Sequence, residues 1–330
     1  MFQYCLYKID NKAYCCWELD VRKRNIEFLT RLDFEYFWFQ AELYQKELSG
    51  ENKHRAAIAI RNIYHHVTET FFTLVCAALQ APYCVYAWMF QATTGDVRKV
   101  VRKIQDNDSK LFNLLGLKEL SWDAFSKQVY FISENLHPKI EGQKEIAEKY
   151  ANVWQSMAGM FLNDYTIKEY NAIKHGFRTS SGGFQLHLGP KGTLNVSERH
   201  NEWITVGASE FGSSFYVIEK LNYSSLKSNP NYQSKKYFLN WDPNLLVGVI
   251  KLIAISINNI SKYLKIINGS NPDENRYLVP ENDDYFKNYW TYHTNLSQMK
   301  FDIDINTEQV EPFTTVEIEK YFNENLKTTI

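Results

Sequence analysis

The spacing of apolar positions predicts a helix that begins near residue 60. Apolar residues recur there every three or four positions, at Ile60, Ile63, Val67, Phe71 and Leu74. This is the period of one helical face, and Pro82 ends the pattern. Similar spacing with few prolines predicts further helices around residues 24–48, 84–92, 95–115, 121–136 and 143–175. The last of these should stop at Gly176, because a cationic turn followed by glycine is a common helix end.

The pattern changes after Gly176. Residues 177–240 carry glycine turns with short runs of β-branched and aromatic residues, which is typical of a small antiparallel sheet. Asp242 and Pro243 then form an N-cap and a first helical position, so a helix should return to the body and run to about Ile267. Residues 268–330 are polar and aromatic without a strong period.

These elements predict a mainly α protein: a helical bundle with a small inserted antiparallel β-sheet. Its segments are a helical body at 1–176, the β insertion at 177–240, a returning helix at 241–267 and a polar, aromatic tail at 268–330. An apolar fraction of 45% in 330 residues is enough to bury a substantial core.

Charge and cysteine content exclude several classes of protein. The chain has 37 basic and 38 acidic side chains, so no overall field attracts nucleic acid or an anionic membrane. Five cysteines without a CxxC pair argue against a disulfide framework and structural zinc. The longest apolar run, 245–257, contains Lys251 and is too short to span a bilayer, so it predicts a buried helix. Without an export signal at the start, a cytoplasmic protein with no membrane contact is expected.

Five strongly polar side chains interrupt the apolar helix after Ile60: Arg61, Asn62, His65, His66 and Glu69. Arg61, His65 and Glu69 follow at intervals of four and share one helical face. RNA cleavage without a metal needs a base, an acid and positive charge at the phosphorane. Histidine transfers protons near neutral pH, and an arginine fork supplies the charge.

The stretch "RNIYHH" resembles the signature of the HEPN family, an arginine followed after four to six residues by a histidine. Arg61, Asn62 and His66 match that pattern. The resemblance implies a HEPN-like helical homodimer in which two motifs face a cleft and cleave RNA without metal or cofactor. Arg61 and His66 would then be catalytic, with Asn62 orienting them. We add His65, the neighbouring imidazole, as a further catalytic candidate for proton transfer. The resemblance further implies a toxin or anti-phage defence effector, with an antitoxin or regulatory partner as a candidate.

A second polar stretch, "EYNAIKHGFR", adds candidate substrate-binding residues. Asn171, Lys174, His175 and Arg178 would join Asn62 and Glu69 in a basic pocket for phosphate. Cations at a helix C-terminus are also stabilised by the helix dipole alone, by roughly 0.3–1 kcal/mol.

Three alternatives remain open from the residues alone. The row of Arg61, His65 and Glu69 would also form ordinary hydrogen bonds along a helix, and His65 with Glu69 has the spacing of two zinc ligands. The alternative function is a non-catalytic helical module that binds a nucleotide or a protein partner.

Overall fold

The computed structural model describes residues 2–131, 143–176, 178–188, 204–223, 229–295, 297–300 and 304–325. The chain forms two compact units. One comprises Met1–Tyr170 with Asp242–Asn295, and the other comprises Asn171–Trp241 with Leu296–Ile330. The described residues are mainly α-helical with a small antiparallel sheet, which confirms the predicted class.

The first unit is built from helices. In chain order these are α1 (Val21–Arg31), α2 (Glu35–Gln45), α3 (Lys53–Gln80), α4 (Val85–Gln91), α5 (Thr94–Gln105), α6 (Trp122–Phe131), α7 (Gln143–Leu162), α8 (Asp164–Lys174), α9 (Pro243–Ile267) and α10 (Asp284–Asn295). A 3₁₀ turn, Pro272–Glu274, precedes α10. Helix α8 begins in this unit and ends in the second.

Helices α3 and α9 form the centre of the first unit. Between them lies an aromatic cluster around Trp154 of α7. The ring centres of Trp154 and Phe71 are 5.6 Å apart, and the indole N–H of Trp154 donates to the hydroxyl of Ser256 at 3.0 Å. Helix α9 is long and apolar enough to cross a membrane, but 78% of its most apolar window is buried. The predicted buried helix is therefore confirmed, and it extends well beyond the apolar run.

Three predicted helices end or break earlier than expected, each at a short polar side chain. The predicted helix 24–48 is two helices, and Asp33 accepts a hydrogen bond from the amide of Tyr36 at the start of α2. The predicted helix 143–175 breaks at Asn163, whose side chain caps α8. The predicted helix 95–115 stops at Gln105, because Asn107 adopts a left-handed φ of 52°. Gly176, with φ 96°, ends α8 as predicted.

An N-terminal hairpin was not predicted within the helical body. Strands β1 (Gln3–Ile9) and β2 (Lys12–Glu18) pair antiparallel. The buried side chains Tyr7 and Ile9 face the helices, and the indole of Trp88 donates to the carbonyl of Lys8 at 2.9 Å. The sequence pattern missed the hairpin because apolar residues occupy both of its faces.

The second unit contains the predicted sheet. Its strands are β3 (Thr179–Ser181), β4 (Gln185–Leu188), β5 (Ile204–Ala208), β6 (Gly212–Lys220), β7 (Tyr232–Asn240) and β8 (Ser297–Lys300). The order β3-β6-β7-β8 forms one antiparallel sheet, and β4 pairs with β5. The segment predicted as a single tail is thus divided: α10 belongs to the first unit, whereas β8 and α11 (Thr315–Asn325) belong to the second.

Candidate functional site

Helix α3 carries Arg61 and His65 on one face, one turn apart, as the sequence predicted. Both side chains are buried, and Arg61 has no exposed surface at all. The flanking residues Ile60, Tyr64 and Val67 are buried as well. The face that carries Arg61 and His65, which the resemblance predicted to face a cleft, lies inside the first unit.

Glu169 on α8 is the counterion of this buried face. Its Oε2 atom accepts from Arg61 Nε at 2.9 Å and from Arg61 Nη2 at 2.6 Å. The same oxygen lies 3.0 Å from His65 Nε2. A buried charge is tolerated only when it is paired and hydrogen bonded, and a single carboxylate oxygen meets that requirement for Arg61.

Tyrosines complete the surroundings of the guanidinium. Arg61 Nη1 donates to the hydroxyl of Tyr292 on α10. The guanidinium carbon of Arg61 lies 4.9 Å from the ring centre of Tyr64, a favourable cation–π distance. Arg61 therefore connects α3, α8 and α10 through one side chain.

The protonation states follow from these contacts. Burial alone would raise the pKa of Glu169, but the charge of Arg61 and the hydrogen bond to His65 outweigh it and hold that pKa well below its usual range. Burial lowers the pKa of His65 to about 4, although Glu169 acts in the opposite direction. At neutral pH the site contains a charged pair and a neutral imidazole, so His65 donates its Nε2 proton to Glu169.

Glu69 belongs to a neighbouring set of contacts. Thr94 donates to Glu69 Oε1, and the hydroxyl of Tyr170 donates to Glu69 Oε2. The rings of Tyr170 and His65 are stacked, with their centres 4.9 Å apart. His65 and Glu69, whose spacing left zinc binding open as an alternative, contact different partners. In the described part of the chain, no group of three His, Cys, Asp or Glu side chains could hold a metal ion.

The other predicted site residues lie outside the buried cluster. Asn62 is half-buried and His66 is exposed, with the ring of His66 edge-on to Tyr170 at 6.0 Å. The remaining predicted residues belong to the second unit and are all exposed: Asn171, Lys174, His175 and Arg178.

Sequence reasoning missed Glu169 and Tyr292. Glu169 stands 108 positions from Arg61 and Tyr292 stands 231 positions away, so no local spacing connects them. One signal was present: Glu169 occupies the buried stripe of α8 between Thr166 and Ile173, where an acid needs a partner.

A second feature of the first unit is an open groove of about 730 Å³. Its floor is a stripe of α7 with two amides, a serine, a glycine and a methionine, followed by Asn163 just after the helix: Asn152, Gln155, Ser156, Gly159, Met160 and Asn163. Trp290 and His293 of α10 form one wall, and Trp290 is 40% exposed. None of the described lining residues carries an acidic or a Lys or Arg side chain, which is unusual for a solvent-facing helix stripe.

No family model, curated protein or solved structure matches this chain.

The Arg61–Glu169 pair generates a stability prediction. Arg61→Met leaves Glu169 as an uncompensated buried charge, which should lower the free energy of unfolding by about 3–5 kcal/mol. Adding Glu169→Gln removes that charge and keeps an acceptor for His65, so the double variant should be more stable than Arg61→Met alone. Chemical denaturation of the wild type, both single variants and the double variant measures the coupling. If the single variant Arg61→Met and the double variant with Glu169→Gln were equally stable, the pairing would be contradicted.

The lowered pKa of His65 generates a pH prediction. In the unfolded chain His65 has its ordinary pKa of 6.5, so between pH 6.5 and 4 the unfolded state binds a proton that the folded state does not. The free energy of unfolding should therefore fall as the pH drops from 6.5 towards 4. The lowered pKa of His65 corresponds to a loss of roughly 3 kcal/mol in the free energy of unfolding over that pH range. His65→Gln keeps a donor to Glu169 without a titrating ring. The difference in unfolding free energy between the wild type and His65→Gln should therefore change with pH in this window, and a constant difference would refute the buried neutral imidazole.

Proposed function

We propose that the chain is a non-catalytic helical module that binds a protein partner. The observation that carries this proposal is the burial of Arg61, whose N–H groups donate to Glu169 and Tyr292. Stabilisation of a phosphorane requires donors about 2.7–3.1 Å from the developing charge. An RNA phosphate would reach the guanidinium only after α8 and α10 had moved away.

His65 supports the same conclusion. A general base works best with a pKa near the working pH, whereas burial lowers the pKa of His65 to about 4. Its Nε2 atom is also engaged with Glu169. The residue types that suit catalysis thus serve here as a buried structural network.

The groove on α7 and α10 is the proposed binding site. Side-chain amides such as Asn152 and Gln155 both donate and accept hydrogen bonds, so they match the backbone of an extended peptide. Trp290 offers an exposed aromatic surface against which a partner side chain would pack. The lack of Lys and Arg among the described lining residues disfavours a nucleotide, whose phosphates need positive charge. An uncharged peptide segment of a partner protein fits this chemistry best.

Gly159 allows a sharp test of the groove. A Cβ atom at this position meets nothing within 4 Å, so substitution does not disturb the packing. Gly159→Ala should stabilise the helix by about 1 kcal/mol and leave the groove open. Gly159→Lys also favours the helix but places a charged chain in the groove.

We expect a displayed peptide library panned on the wild-type protein to enrich uncharged segments. Their affinity, measured by fluorescence anisotropy, should fall at least tenfold with Gly159→Lys and stay unchanged with Gly159→Ala. Peptides that bind all three proteins equally, or no enrichment at all, would reject the groove as the binding site.

The second candidate is a HEPN-like endoribonuclease, a cytoplasmic homodimer that acts as a toxin or anti-phage effector. The observation that favours it is the exposure of His66 one turn after Asn62, on the side of α3 next to Tyr170. In this candidate His66 is the general acid or base in RNA cleavage, and Arg61 maintains the helix packing behind it.

Incubation with total RNA in EDTA separates the two candidates. We expect no cleavage by the wild-type protein. Cleavage that falls 10²-fold or more in His66→Ala, as loss of a general acid or base requires, would support the nuclease instead. His293→Ala is the matched control, because it removes an imidazole from α10 and leaves α3 unchanged.

A further inference from the structure

The outer face of the N-terminal hairpin is apolar or aromatic at the end away from the turn, and Lys8, paired with Ala13, lies on the same face next to the turn. Tyr4 pairs with Trp17 across the strands, and Leu6 pairs with Cys15. Together with the flanking residues Phe2 and Leu19, these side chains point away from the helices. The five large ones are 58–68% exposed: Phe2, Tyr4, Leu6, Trp17 and Leu19.

The opposite face of the hairpin holds it in place on the first unit. Tyr7 and Ile9 are buried against the helices, and Gln80 of α3 accepts from the amide of Asp10 at 2.9 Å. Trp88 of α4 donates to the carbonyl of Lys8. Because the inner face is occupied, the hairpin cannot turn over to hide its outer face.

The exposed area is large enough to form an interface. Large apolar and aromatic side chains bury about 150–250 Å² each, so five of them at their present exposure offer roughly 600 Å². Two such faces would bury about 1,200 Å², the lower limit for a specific interface. Isolated exposed apolar residues are ordinary, whereas a contiguous patch of this size marks an interaction site.

We propose that this face binds the same face of a second copy of the chain. The six side chains Phe2, Tyr4, Leu6, Cys15, Trp17 and Leu19 carry no formal charge, so their complement must also be uncharged and apolar. A second copy always supplies such a surface, and a two-fold axis makes one patch self-complementary. The two hairpins would stack face to face about 10 Å apart, as packed sheets do. This dimer does not depend on the proposed binding function.

Sedimentation velocity over a concentration series tests the dimer. The wild-type protein should show a monomer–dimer equilibrium, with the dimer fraction rising along the concentration series. Trp17→Lys and Leu6→Lys should each yield monomer, since both place a charge in the apolar interface. Val279→Lys is the matched control: Val279 is 45% exposed, lies outside the hairpin and should leave the dimer intact.

Cys15 provides an independent measurement. It is exposed on the outer face, whereas Cys5 and Cys16 are half-buried and Cys76 and Cys84 are buried. A short bismaleimide reagent should therefore link two chains through Cys15, and Cys15→Ser or Trp17→Lys should abolish the covalent dimer. A monomer at all concentrations would overturn the proposal. So would a dimer that survives Trp17→Lys and Leu6→Lys, because its contact would lie elsewhere on the chain.

Discussion

The first unit depends on one requirement: the positive charge of Arg61 lies where no water reaches it. Such a charge is stable only beside an opposite charge and a full set of hydrogen-bond acceptors. Glu169 supplies the charge, and Tyr292 supplies a further acceptor. These partners come from α8 and α10, so the packing of three helices is constrained by one guanidinium. Apolar contacts tolerate small displacements, but a buried ion pair with two hydrogen bonds tolerates much less, which makes the pair a determinant of how the helices are arranged.

The elements with a strong and long period were predictable from the sequence. Helices α3 and α9 bury broad apolar stripes, and the periodicity of such stripes is visible without any partner. The breaks at Asp33 and Asn163 were not predictable in the same way, because a short polar side chain ends a helix only where its backbone hydrogen bonds are better than those of a continued helix. The hairpin escaped prediction for a different reason: its outer face is as apolar as its inner face, so the alternation that normally identifies a half-buried strand is absent.

The candidate site shows where a local motif reaches its limit. Arg61 and His65 were identified because they share a helical face, and the structure does bring them together. Whether that face meets solvent or another helix depends on residues more than one hundred positions away, and no spacing within "RNIYHH" contains that information. An arginine, a glutamate and a histidine are the components of both a proton-transfer site and a neutralised buried network. Arg61 and His65 are buried, which is the observation behind the proposed network, while His66 on the same helix lies at the surface.

The contact between Arg61 and Tyr292 also has a consequence for biosynthesis. Arg61 leaves the ribosome long before Tyr292, since 231 residues separate them. Until α10 has been translated, the guanidinium lacks one of its acceptors, and α3 lacks its partner α9 for most of that time. Until α9 emerges, the side of α3 that packs on α9 stays exposed on the nascent chain, which is the situation in which chaperones bind. The helical unit can complete its core only after α10 has emerged.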